Sequence, residues 1–242
     1  MYMFYDPTYI LVIIGIIITM IASANVNATF RKYDEISSRR GLTGAAAARK
    51  ILDANGLYNI RIERVSGKLS DHYSPKEGVI RLSDSTYNST SIAALGVAAH
   101  ECGHAVQHQV GYTPIKVRNA MVPAVNICSY MAIPIILIGL FISQQLAMIG
   151  VILYCAVLAF QIVTLPTETN ASARAIDTLY NMAILDEDEL RGTKKVLRAA
   201  AMTYFASMAA TALQILRLFM LVSGNRRRVL CICFMIRHIY LL

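Results

Sequence analysis

Four apolar blocks, each long enough to cross a bilayer, limit what this chain of 242 residues can fold into. They cover residues 8–28, 122–143, 146–165 and 200–223, and about 20 helical residues span the roughly 30 Å of a hydrocarbon core. The stretches between them hold most of the 23 Lys and Arg and 15 Asp and Glu. That segregation, with an apolar content of 56%, excludes an ordinary soluble enzyme and favours separate spans over one large core. The fourth block carries Gln214 and Arg217, which are tolerated near a span end or against other helices. Residues 229–242 are broken by Arg237 and His238, too short for a span, and read as an interfacial tail. The run before Ala22-Ser23-Ala24 resembles a leader, but residues 1–7 hold no basic residue, so an uncleaved anchor is expected.

With four spans, segments 29–121 and 166–199 share one side of the membrane. They contain 18 of the 23 Lys and Arg, so the positive-inside tendency makes that side cytoplasmic. Arg226-Arg227-Arg228 oppose this orientation, and a re-entrant or interfacial fourth helix would remove the conflict. The net charge of +8 is accounted for by attraction to anionic lipid, and without a nucleic-acid motif no such partner is expected. The five cysteines lie in or beside apolar segments without disulfide-module spacing. They read as small buried hydrophobes, and Cys231-x-Cys233 is weak as a metal pattern.

Within the first polar segment, Thr43 opens an alanine-rich helix that stops near Asn55-Gly56. Residues 60–65 alternate as a strand does, a turn-rich passage follows over 71–78, and Val79-Ile80-Arg81-Leu82 reads as a second strand. Asn88 or Ser89 then opens a helix that runs from Thr90 to about His108 and contains His100-Glu101-Cys102-Gly103-His104. On a helix, positions four apart share a face about one turn apart, so both imidazoles can reach one cation. Glu101 stands beside them, where it can take a proton from an attacking water instead of binding metal. The preceding Ala93-Ala94-Leu95-Gly96-Val97-Ala98-Ala99 is apolar, and charged or polar groups on a buried helix need partners. A hydrogen-bonded pair of core histidines is the bland alternative. Gly103 costs roughly 1 kcal/mol relative to alanine inside a helix and suggests close packing, whereas Cys102 points off the ligand face.

A catalytic zinc takes three protein ligands. His108 continues the four-residue series, but eight helical residues separate it from His100 by about 12 Å, too far for one ion. Glu168 is a better candidate, since it follows the third block in Leu165-Pro166-Thr167-Glu168-Thr169-Asn170-Ala171-Ser172 on the same side as the histidines. Pro166 suits the first turn of a helix, and the small residues allow close helix approach. An acid in a first turn can equally be held by the helix dipole alone. Asp177 and Asp186-Glu187-Asp188-Glu189 are expected to be solvated surface.

These residues, with Asp71-His72-Tyr73-Ser74-Pro75, the strand Val79–Ser83 and Ala105-Val106-Gln107 after the histidines, make the chain to about Arg228 resemble the YugP-type neutral zinc metallopeptidases. These are bacterial membrane proteins similar to distant gluzincins. The resemblance implies Zn2+ held by His100, His104 and Glu168, with Glu101 catalytic. Related gluzincins often carry an Asp four residues after the third ligand; Ser172 stands there, which leaves that supporting role unassigned. By analogy the second strand could pair with an extended peptide, with His72 near the developing oxyanion. A plain turn histidine accounts for His72 equally well.

The expected fold is a mainly α membrane protein with about four transmembrane helices and a small α+β gluzincin-like zinc peptidase domain with a short sheet. Its parts are span 8–28, peptidase domain 29–121, spans 122–143 and 146–165, third-ligand helix and polar connection 166–199, span 200–223, and tail 224–242. The expected function is endopeptidase action on membrane or membrane-proximal polypeptides, in a multi-pass protein of a bacterial cell membrane with a cytoplasmic catalytic domain. A zinc-bound, non-catalytic membrane scaffold is the alternative. A transporter would need more polar residues in the spans than Asn126, Gln161, Gln214 and Arg217.

Overall fold

The computed structural model describes residues 7–223; the basic cluster, the Cys231-x-Cys233 pattern and the tail considered above lie outside the described residues. The elements are α1 (Tyr9–Asp34), α2 (Gly44–Ala54), β1 (Arg61–Val65), β2 (His72–Ser74), β3 (Val79–Ser83), α3 (Asp84–Tyr87), α4 (Ile92–Gln109), α5 (Thr113–Ile142), α6 (Gln144–Asn181) and α7 (Glu187–Ser223). The protein is mainly helical, and α1, α5, α6 and α7 are each long and apolar enough to cross a membrane. At a rise of about 1.5 Å per residue, even the 26 residues of α1 exceed a hydrocarbon core.

The chain divides into two compact units. One contains α1 up to Ile21, residues Ala120–Ile162 and the part of α7 from Phe205. Here α5 and α6 meet at a single residue, Ser143, whose hydroxyl accepts the Leu146 N–H at 3.2 Å. Their close approach depends on Gly139 and Gly150. A Cβ on Gly139 would collide with the backbone of Ala147, and one on Gly150 would lie 2.8 Å from the Ala132 carbonyl oxygen. Ile136, Ala147, Val151, Leu218 and Val222 pack together, whereas Ile17, Met20, Phe141 and Ile152 are exposed. Large apolar side chains turned outward suit lipid, which is as apolar as they are. Arg217, the costly charge of the fourth block, is buried with its guanidinium 5.2 Å from the Tyr9 ring centre, a cation–π arrangement that offsets part of its desolvation.

The second unit contains residues Ala22–Asn119 and Val163–Tyr204. Its sheet has the order β1-β3-β2, with β1 parallel and β2 antiparallel to β3. The turn-rich passage therefore includes a short strand, β2, that periodicity does not reveal because three residues are too few to alternate. Asp71 anchors it: its carboxylate accepts the Ser83 N–H at 2.7 Å and the Ser83 hydroxyl at 2.9 Å. Ile51 and Leu52 of α2, Ile80 and Leu82 of β3, Leu95 and Ala98 of α4, and Leu179 of α6 form the core. Thr43 caps α2 as expected, its hydroxyl accepting the Ala46 N–H at 3.2 Å. Ser91 caps α4 at Ala94 and donates to Asp34 at 2.7 Å, tying the start of α4 to the end of α1.

Two expectations change. Pro166 lies inside α6, not in the first turn of a new helix, so the segment bearing Glu168 continues the apolar block without interruption. The acidic run is also only partly solvated. Glu189 is buried, and its carboxylate accepts the Asp186 and Arg39 N–H groups at 2.9 and 2.8 Å, fastening the first turn of α7. Arg39 pairs in addition with Asp186 and Asp188.

Candidate metal centre

Helix α4 carries the centre because its apolar face is buried on both sides of the motif, which fixes the rotation of the helix. Ala98, Ala99, Cys102, Ala105 and Val106 are buried, so positions 100 and 104 share the remaining stripe. Cys102 is turned the other way, its thiol reaching the Ala48 carbonyl at 3.6 Å, and burial raises its pKa strongly. Gly103 supplies the close packing expected of it: a Cβ there would lie 2.8 Å from the Ala171 carbonyl oxygen of α6. That contact brings α6 near enough for Glu168 to reach the histidines.

The Nε2 atoms of His100 and His104 lie 3.1 Å apart, and Glu168 Oε2 lies 3.4 and 3.5 Å from them. Such a triangle suits zinc. Ligand bonds of about 2.0–2.1 Å at tetrahedral angles separate donor atoms by roughly 3.3–3.4 Å. All three side chains are strongly shielded, with relative exposures of 16%, 12% and 6% for His100, His104 and Glu168. Two neutral nitrogens and one carboxylate oxygen are also a donor set that zinc favours.

The far side of each imidazole is held as well. Gln107 is fully buried, and its amide donates to the Thr167 carbonyl at 2.8 Å and to Asn170 Oδ1 at 2.9 Å. Its oxygen is thereby left to accept from His104 Nδ1 at 3.0 Å. Arg174 donates to the same Asn170 oxygen at 2.9 Å. The chain of bonds places the His104 proton on Nδ1 and leaves Nε2 free as a ligand. Ser172 lies 3.1 Å from His100 Nδ1 and can accept its proton. Ser172, whose supporting role the sequence left open, thus sets a neutral hydroxyl against His100.

Burial opposes charge on Glu168, but hydrogen bonds and charge from His100 and His104 more than offset it, holding the carboxyl well below the usual range. Burial likewise pushes the His104 pKa down, and Glu168, Glu101 and Gln107 more than offset it, for a net rise. Glu101 is buried, with 8% relative exposure, and has no hydrogen-bond or ion-pair partner among the described residues. The Glu101 side chain lines two cavities beside the histidines, where it can meet a water as a proton acceptor.

Two cavities flank this group and share Asp71, His100, Glu101, Glu168 and Tyr204. One, of about 190 Å³, is polar and includes His72, His108, Arg118 and Asn119. The other, of about 260 Å³, has apolar walls that include Val26, Leu69, Val97 and Leu197. His72 is exposed, with Nδ1 2.9 Å from the Ser70 carbonyl oxygen. His108 lies edge-on to Tyr73, with 6.2 Å between ring centres, and is not part of the three-residue cluster. Sequence reasoning did not reach Tyr204, Arg118 and Gln107. Of these, only Gln107 left a signal, three positions after a ligand on the same helix.

Two histidines one turn apart, a carboxylate from a second helix and a cavity-lining acid beside them fit a zinc-dependent hydrolase. The family described as "Putative neutral zinc metallopeptidase" matches residues 8–223, and the chain belongs to that family. It is 42% identical over 207 residues to "Putative membrane protease YugP" of Bacillus subtilis (strain 168), an alignment covering 85% of this chain and 92% of the relative. No solved structure matches the chain.

Proposed function

We propose that the protein is a membrane-embedded, gluzincin-like zinc endopeptidase that cleaves membrane or membrane-proximal polypeptides. The observation that carries this reading is the convergence of His100, His104 and Glu168, with Glu101 lining the cavities beside them. His100, His104 and Glu168 would hold zinc, which when bound polarises a carbonyl and acidifies water. Glu101 takes a proton from the attacking water as its oxygen bonds to the scissile carbonyl carbon. It returns that proton to the amine as the C–N bond breaks, so no net proton is consumed on the enzyme. Gln107 and Ser172 keep the imidazoles oriented throughout. Tyr204, at the border of both cavities, is placed to donate to a developing oxyanion. β3, the strand expected from the sequence to pair with a peptide, is flanked by β1 and β2, so in this reading it is the outer edge of β2 that offers backbone groups to an extended peptide. The apolar cavity suits an aliphatic side chain next to the scissile bond.

Residues 29–121 and 166–199 form the catalytic part in this reading, between spans 8–28, 122–143, 146–165 and 200–223. The excess of Lys and Arg in those two segments supports a cytoplasmic location. The test uses the purified full chain in detergent, zinc-loaded, with an unstructured polypeptide as substrate. Glu101→Gln should retain stoichiometric zinc and lose activity by about 10²-fold or more. Cleavage at wild-type rate by Glu101→Gln would remove Glu101 from the chemistry. A zinc-loaded wild type that cleaves neither an unstructured nor a membrane-bound polypeptide would favour a metal-bound scaffold.

A further inference from the structure

A third cavity, away from the metal centre, is lined by cations. It has a volume of about 350 Å³ and lies between α1 and α7. From α1 come Thr29, Lys32 and Tyr33; from α7 come Lys195, Arg198 and Met202. Both sets recur at helical spacing, so each is one stripe of its helix and the stripes face each other across a groove. Lys32, Lys195 and Arg198 are exposed, and none of them has an ion-pair partner among the described residues. The lining holds no acidic residue. Three cations turned into one cavity without a carboxylate repel one another, and an anion relieves that repulsion. Arg39, Arg49, Arg64 and Arg81 are ion-paired, and what sets the groove apart from scattered surface cations is that three of them line one cavity with no acid among them.

The position selects the kind of anion. Lys32 follows the first apolar block, which ends at Ala28, by four residues, and Lys195 and Arg198 precede the fourth, which begins at Ala200, by five and two. At about 1.5 Å per residue, all three charges lie within roughly 8 Å of a hydrocarbon border. That is the depth of lipid phosphate groups. Met202 and Tyr33 add apolar surface to the wall, which suits a headgroup with its attached glycerol more than a free hydrated ion.

We propose that this groove binds the phosphate headgroup of an anionic phospholipid. The inference rests on the membrane spans proposed above and not on the peptidase chemistry, so either can fail alone. The test is native mass spectrometry of the full-length protein in detergent, titrated separately with phosphatidylglycerol, phosphatidylcholine and inorganic phosphate. Wild type is compared with Lys32→Gln/Lys195→Gln/Arg198→Gln and with a control, Lys50→Gln/Lys68→Gln/Lys76→Gln, which removes the same charge from exposed sites elsewhere. Zinc content and thermal unfolding check that both variants remain folded. Each cation near an anionic lipid surface is worth roughly fivefold in binding, so phosphatidylglycerol affinity should fall by at least about tenfold in the groove variant. It should stay near wild type in the control, with phosphatidylcholine weak throughout. Equal losses in the two variants, or no loss in the groove variant, would overturn the proposal. Inorganic phosphate binding as tightly as phosphatidylglycerol, with the same dependence on the three residues, would overturn it in favour of a free-anion site.

Discussion

Gly103→Ala separates the packing account of the metal centre from simple helix propensity. Judged by propensity alone, alanine in the interior of α4 should stabilise the protein by roughly 1 kcal/mol. The structure requires the opposite. The new Cβ would lie 2.8 Å from the Ala171 carbonyl oxygen, 3.2 Å from its Cα and 3.3 Å from its carbonyl carbon. Ordinary C···O contact begins near 3.3 Å, so α4 and α6 must part by about half an ångström. All three obstructing atoms are backbone, which no rotamer change can move. Overpacking of this kind costs about 1–3 kcal/mol, for a net loss of up to roughly 2 kcal/mol. The sharper effect falls on zinc. Its ligand distances tolerate only about 0.2 Å, and the same two helices carry the histidines and Glu168. Zinc affinity should therefore drop by about 10–100-fold, measured by chelator competition on purified protein, while helix content by circular dichroism stays unchanged. An alanine variant that melts higher than wild type and holds zinc with wild-type affinity would refute the packing argument.

Gln107→Leu keeps volume but removes the acceptor for His104 Nδ1 and the donor to Thr167 and Asn170; about 10–100-fold weaker zinc binding is expected in the same competition assay. Ser172→Ala should weaken zinc by about tenfold, whereas Ser172→Asp should match or exceed wild type because a carboxylate makes His100 a stronger donor; tighter binding by the alanine variant would contradict this. The pH dependence follows from opposite shifts in the zinc-free protein. His104, raised, stabilises the fold fully below its unfolded value of about 6.5 and loses that contribution as pH climbs through the folded value. Glu168, lowered, contributes fully above about 4.3 and loses it as pH falls toward its depressed value. Chelated protein should thus gain most from this pair between about pH 4.5 and 6.5, by thermal unfolding across pH. Zinc must displace the His104 proton, so its affinity should weaken as pH falls through the raised value, and titration calorimetry in two buffers should show proton release.

The fold was legible where a periodic or capping signal acts over a short range. Thr43, Asn55-Gly56, the alternation in β1 and the four apolar blocks depend on neighbours within a few residues. Signals that compete are harder to weigh. Pro166 is a sound helix start by local rules, yet α6 runs through it. At the end of an apolar block the rest of the helix ladder outweighs one missing hydrogen bond, and proline is accommodated. β2 failed for the contrary reason, since three residues carry no period and the strand exists because Asp71 ties it to Ser83.

The metal centre divides along the same line. His100, Glu101 and His104 come from one helix, where 3.6 residues per turn convert spacing into geometry. Glu168 is 64 residues beyond His104, and no periodicity connects them; the shared side of two spans, the small residues around it and the family resemblance suggested a meeting. What brings the helices together is a carbonyl packed against a missing side chain, Ala171 against Gly103. Gln107 and Ser172 follow from that contact: once α6 is fixed there, Thr167 and Asn170 fall opposite Gln107, and Ser172 falls opposite His100. A glycine inside an amphipathic helix is therefore informative about a partner helix even when the partner cannot be read. Alanine at position 103 would satisfy every local rule in α4 and still separate the ligands.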